Sequence, residues 1–234
     1  IIPDPQSVGT ATYEIETLAS GLQGIWSREN TRESLWDAMQ RKETYATTGT
    51  RLTVRVFAGW DYKKTDMQRP DFAGIGYLGG VPMGGDLTAA PKGKAPRLMV
   101  RAMRDPDGAN LDRTHIIKGW VDNKGKLREQ IYDVACSDGR GIGANKRCER
   151  VVGSTVNIAA ARYSNSIGDA TQTAFWEDPD FDPAEKAFYY VRVLEIPTPR
   201  WTTYDAAFYG VDLPRGVTAE QQDRAYTSPI WYTP

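Results

Sequence analysis

Histidine is almost missing from this chain: His115 is the only one in 234 residues, and Cys136 and Cys148 are the only cysteines. A catalytic zinc centre needs three His, Cys or carboxylate ligands converging on one ion. The supply of imidazole and thiolate here is too thin to build one. Serine–histidine–aspartate catalysis would have to use the same His115, and no Gly-x-Ser-x-Gly turn accompanies it. His115 lies beside Ile116 and Ile117 in a strand-like run, which predicts a structural role. An excess of charge is missing too, with 29 Lys and Arg against 30 Asp and Glu. That balance favours neither nucleic acid nor an acidic membrane surface. The short basic pairs Arg41-Lys42 and Lys63-Lys64 fit solvated faces. No apolar run approaches the length of a membrane span. The start, Ile1-Ile2-Pro3-Asp4-Pro5, has neither the charged beginning nor the apolar stretch of a signal peptide. It also lacks Met, which predicts a truncated or processed chain and leaves localisation unreadable from this end.

What is present fits a soluble globular protein. About 40% of residues are hydrophobic and 25% charged, and a chain this long can bury a core without staples. Asn30 with Glu33 three positions on predicts a capped helix start. Leu35, Trp36 and Met39 then recur at helical spacing, and Arg41 and Lys42 are expected in the last turn. Beyond Gly49 the texture changes. Leu52, Val54 and Val56 alternate with Thr53, Arg55 and Phe57, the period of a strand. Leu98, Val100 and Ala102 alternate again. Further strands are predicted at 44–48, 115–121, 127–135, 155–159, 171–176, 188–195 and 229–232, with a hairpin turn at Asp122-Asn123-Lys124-Gly125. Residues 61–96 predict a long irregular excursion, and the only other helical candidate is 219–225. Short strands separated by turn signals predict a mainly β chain, an antiparallel, immunoglobulin-like β-sandwich over 51–234. Residues 1–50 supply a short α/β segment ahead of it.

Several motifs fail on inspection. Gly74-Ile75-Gly76-Tyr77-Leu78-Gly79 matches Gly-x-Gly-x-x-Gly, but no strand precedes it and no helix start is evident after it, so dinucleotide binding is rejected. The acidic turns beginning at Asp105 and Asp178 lack the glycine and glutamate of an EF-hand. Cys136 and Cys148 bracket a Gly-rich stretch from Ser137 to Gly143, and two readings stay open. They form a disulfide, worth about 3 kcal/mol from loop entropy and pointing to a periplasmic or extracellular compartment, or they are two unrelated thiols. Arg200, Trp201 and Tyr204 lie in a Pro-stiffened loop after a strong strand. Such residues either stack on and hydrogen-bond a ligand or cap the end of the sandwich.

Three longer stretches carry a family likeness. One runs Gly21-Leu22-Gln23-Gly24-Ile25-Trp26-Ser27-Arg28-Glu29-Asn30-Thr31-Arg32-Glu33 and continues through Arg41-Lys42-Glu43-Thr44-Tyr45-Ala46-Thr47-Thr48-Gly49. Another runs from Phe188-Tyr189-Tyr190 to Ile196-Pro197-Thr198-Pro199-Arg200-Trp201. The third is Ala225-Tyr226-Thr227-Ser228-Pro229-Ile230-Trp231-Tyr232. Together they resemble the C-terminal part of the bacterial domain-of-unknown-function family numbered 3604, itself similar to metallohydrolases of the polymerase-and-histidinol-phosphatase (PHP) type.

The resemblance implies a β/α-barrel catalytic domain whose His and Asp ligands lie upstream of this chain. Residues 1–50 would then be the barrel's closing helix and strand. It implies divalent metal ions in the full-length protein and none held here, a missing N-terminal catalytic region as partner, and a small-molecule ester substrate. Glu29, Arg32 and Thr48 match the family pattern and could border the metal centre, although Ser27-Arg28 replaces the usual Ala-Glu. The alternative is that Glu29 and Glu33 serve the helix start. Arg200 and Trp201 could line the same cleft. The competing expectation is a non-catalytic β-sandwich module, binding or structural, of an envelope protein.

Overall fold

The computed structural model describes residues 20–234. Expectations that rest on residues 1–19 lie outside the described part. The chain enters as strand β1 (Leu22–Ile25), helix α1 (Arg32–Gln40) and strand β2 (Thr44–Thr47), and β1 and β2 pair antiparallel. The helix cap is Thr31, not Asn30: Thr31 has extended φ and ψ, and its hydroxyl accepts the Ser34 N–H at 3.3 Å. Either residue type can cap, and the backbone that turns helical at Arg32 selects its immediate predecessor. Arg41 is the C-cap and Lys42 takes a left-handed φ of 58°, so both expected last-turn cations sit past the helix end.

A mainly β body follows. Strand β3 (Thr53–Gly59) leads to the short β4 (Gly80–Pro82) and β5 (Asp86–Leu87), then β6 (Arg97–Met103), β7 (Leu111–Val121), β8 (Leu127–Cys136), β9 (Thr171–Glu177) and β10 (Ala187–Glu195). After β10 come β11 (Thr198–Pro199), β12 (Glu220–Gln221), β13 (Arg224–Thr227) and β14 (Ile230–Tyr232). Four strands form one antiparallel sheet in the order β4-β3-β6-β9. Eight form the other. Strand β10 lies inside it, bordered by β7 on one edge and by β13 and β14 end to end on the other. Its pairings are antiparallel except β14 with β5.

Period-two alternation explains how the sheets meet. Val54, Val56, Leu98 and Val100 from the smaller sheet share one buried cluster with Ile116, Tyr189, Val191, Val193 and Ile230 from the larger. Each such side chain taken fully from water stabilises by about 1.5–3 kcal/mol. The opposite face of the smaller sheet carries Phe57 and Met99, roofed by α2 (Phe72–Gly79) through Phe72.

That helix and a single 3-10 turn at Asp66–Gln68 lie where an irregular excursion was expected. Three glycines hide α2 from propensity reasoning. Gly76 nevertheless suits the position, because a Cβ there would collide with the Phe57 ring, and Tyr62 donates its hydroxyl to the Gly76 carbonyl at 2.5 Å. The Pro-stiffened loop is also corrected. Thr198 and Pro199 form β11, Arg200 caps α3 (Trp201–Tyr209), and Gly210 ends that helix at φ 65°. The expected helix at 219–225 is β12 and the start of β13, while the expected strand at 155–159 reduces to one bridge between Asn157 and Arg162.

Candidate functional site

Every second residue of β10 from Ala187 to Val193 points into the apolar core, and the next in that row is an acid, Glu195. The pairing with β7 slips between Leu194 and Glu195, a bulge of the kind that re-aims a side chain at a sheet's end. Glu195 is 2% exposed. One carboxylate oxygen accepts the Thr50 hydroxyl at 2.5 Å. Burial, helped by the nearby Asp223 and Asp105 carboxylates, pushes the Glu195 carboxyl up to about 7 against the pull of the Thr50 hydrogen bond. Near neutrality it is therefore divided between a proton donor and a proton acceptor, the condition for general acid–base work.

Around Glu195 lies a hollow of about 270 Å³, lined by Gly49, Thr50, Asp105, Tyr163, Trp201, Tyr204 and Asp223, among others. Asp223 is oriented by the Thr48 hydroxyl at 2.6 Å, and that oxygen in turn accepts the Arg224 N–H at 3.0 Å. The backbone N–H of Glu195 donates to the Asp223 carbonyl at 2.9 Å, which ties the two acids' strands together. Burial alone would raise the Asp105 carboxyl, but hydrogen bonds from Arg51 and from the Asp107 N–H hold it below the ordinary range. The aromatic side is supplied by the start of α3 and by Tyr163. Burial raises the phenols of Tyr163 and Tyr204 above their usual value, which keeps them as donors.

The residues singled out from sequence separate into two places. Trp201 lines this hollow and Thr48 holds one of its acids. Arg200 is buried behind, its guanidinium 5.9 Å from the centre of the Trp201 ring, and its carbonyl accepts the Thr203 N–H that starts α3. Glu29 and Arg32 are at the start of α1 instead. The Glu29 N–H donates to the Ser34 hydroxyl at 3.3 Å. Arg32 borders a separate open hollow with Trp36 and Met39. Glu195, Asp223, Asp105 and Tyr163 were missed as site residues. Glu195 alone carried a signal, an acid in register with an otherwise apolar alternating row.

Cys136 and Cys148 form a disulfide, which decides between the two readings of these thiols. Among the described residues, Asp133 with these two cysteines is the only trio whose ligand atoms cluster. Disulfide sulfurs are not thiolates, and Asp133 already accepts the Cys148 N–H at 2.8 Å and Arg147 at 3.0 Å. That trio does not fit a catalytic divalent ion. His115 is buried, and burial pushes its pKa down to about 4 despite the opposing Asp133 carboxylate. The ring is thus neutral at pH 7, so its 3.1 Å approach to Asp133 is not an ion pair. Its Nε2 accepts from Arg113 Nε at 2.9 Å, and its buried Nδ1 has no hydrogen-bond partner among the described residues.

Among the described residues no helix is long and apolar enough to cross a membrane. No curated protein and no solved structure matches the chain. One family model does match, over residues 4–234, and it is described as protein of unknown function (DUF3604).

Proposed function

The chain belongs to the DUF3604 family, and from that premise we propose that it is the C-terminal part of a PHP-like metal-dependent hydrolase and forms one wall of its substrate cleft. Residues 51–234 are taken as an appended, immunoglobulin-like sandwich, and residues 1–50 as the closing segment of the barrel, whose strands β1 and β2 extend the larger sheet through β13. The observation that carries this reading is where the Glu195 hollow lies. Gly49 and Thr50, at the end of the segment assigned to the barrel, meet Glu195, Trp201 and Asp223 of the sandwich around one cavity. Ligand sites favour such junctions between domains.

The divalent ions belong to the upstream region in this reading and would activate a water there. This chain's own groups do the remaining work. Trp201 and Tyr204 pack against a small ester, either a phosphate ester or a carboxylic ester or carbamate. Protonated Glu195 donates to the leaving oxygen, and Asp223 stays fixed by Thr48. The disulfide supports a periplasmic or extracellular setting. A binding module that uses the same hollow without turnover is the competing reading.

The test uses the gene product carrying the proposed upstream region, assayed on chromogenic phosphate esters, carboxylic esters and carbamates. Trp201→Ala and Glu195→Gln should each lower kcat/KM by about tenfold or more, the scale of losing a stacking contact or a proton donor, with bound metal unchanged. Two results defeat the proposal. One is unaltered kcat/KM in both variants. The other is stoichiometric metal and ester turnover by the 234-residue chain alone.

A further inference from the structure

The outer face of the four-stranded sheet carries side chains in rows across the strands. The row Phe57–Met99–Phe175 is covered by α2. The next row, Arg55–Arg101–Thr173, opens into a hollow of about 560 Å³. Trp26 and Phe72 form apolar walls, and Gln68, Thr53 and Thr171 border it. Among the described residues no acid lines it.

Two arginines directly opposite on neighbouring strands repel each other, so their surroundings indicate what they are for. The Arg55 guanidinium lies 4.5 Å from the Trp26 ring centre and donates to the Tyr77 hydroxyl at 2.8 Å. Glu43 is 3.6 Å away and shared with Arg41. Arg55 Nε is buried, with no hydrogen-bond partner among the described residues. Arg101 stacks 4.4 Å over Phe72 and spends Nη2 on the carbonyls of Met67 and Arg69, at 2.7 and 3.1 Å. Among the described residues it has no ion pair with an acid. Arg55 is thus held by the Trp26 ring and the Tyr77 hydroxyl and Arg101 by the Phe72 ring and two carbonyls, while among the described residues Glu43 is the one acid near the two positive charges. A buried unsatisfied donor beside an uncompensated cation is a standing demand for an oxyanion.

We propose that this hollow binds the oxyanion group of a small phosphorylated ligand, with Arg55 and Arg101 clamping the oxygens, Thr173 adding a donor and Trp26 packing against the attached body. The site shares no lining residue with the Glu195 hollow, so it stands whether or not that cavity belongs to a hydrolase.

Calorimetry and NMR of the protein at low salt, titrated with inorganic phosphate and with glucose 6-phosphate, test this. Binding should be in the millimolar range or tighter and weaken as salt rises. A tighter fit for the sugar phosphate supports the attached body on Trp26, and equal affinity for the two probes overturns that contact. Thr173→Glu, at an exposed position opposite Arg101, places a carboxylate in the hollow without disturbing the core. It should leave the melting temperature unchanged or higher and weaken binding by about tenfold or more. Arg101→Lys should also weaken it, because an ammonium cannot form the fork. Absence of binding by both probes at about 20 mM, beyond the weak end of that affinity range, overturns the proposal. So does undiminished affinity in Thr173→Glu.

Discussion

Glu195 occupies a position where the alternation of β10 calls for an apolar side chain, and burial there favours its protonated form. The sign of the resulting pH effect follows directly. Its folded pKa, about 7, lies above the ordinary 4.5, so between those values the native state binds more protons than the unfolded chain. Stability contributed by this group is complete below about pH 4.5 and is lost as pH rises through about 7. The loss is on the order of 3 kcal/mol at most, from 1.36 kcal/mol for each pKa unit. Urea unfolding from pH 4.5 to 7.5 should show wild-type stability falling over that window and Glu195→Gln flattening the fall. An unchanged slope in the variant removes Glu195 as the cause. This residue was partly legible in sequence, since an acid at the end of the row Ala187, Tyr189, Val191, Val193 stands out. Asp223 was not, because it reaches the hollow by strand pairing across residues far apart in the chain.

At the scale of elements, strands with clean alternation were the most readable. Strands β3, β6, β7, β8, β9 and β10 lie close to their predicted runs, and the Asp122 hairpin forms with Gly125 at φ 73°. Helices were readable only where a cap announced them. Both α2 and α3 were hidden, the first by its glycines and the second by the prolines before it, since tertiary packing outweighs local propensity. The loop between Cys136 and Cys148 shows a different economy. It is fastened by the disulfide and again by Arg140, buried within it, whose Nη2 donates to the Asp112 carboxylate at 2.6 Å and to the Asp112 carbonyl at 2.7 Å. Replacing both cysteines by serine should cost about 3 kcal/mol, the loop-closure value for a bridge spanning 12 residues. Because that cost falls on global stability, the slowest-exchanging amides of the two sheets should quicken by the same free energy, and the loop should become the fastest-opening part while Arg140 keeps its base docked. Unchanged exchange of the slowest sheet amides contradicts the loop-entropy account.

On the scale of the whole molecule, the mainly β class was evident from composition and period, whereas the sheet order was not. Long-range pairings such as β2 with β13 leave no local mark in the residues that make them. Those pairings bind the entry segment to the body: β1 and α1 are attached to β2, and β2 joins the sheet whose core is shared with the opposite one. Described residues should therefore unfold in one cooperative step, with far-ultraviolet circular dichroism and tryptophan fluorescence tracing coincident curves. An early, separate loss of helix signal would mean that the segment ahead of Gly49 is an independent unit.

Strand β10 has one side closed by β7, made before it, and the other by β13 and β14, made after it. During synthesis the interior of the larger sheet consequently stays unzipped along one flank until residues 224–232 clear the ribosome. Until then a long apolar strand offers bare amides to any neighbour, the situation in which nascent chains aggregate. Chaperone dependence would thus be concentrated in the interval between the emergence of β10 and that of residues 224–232.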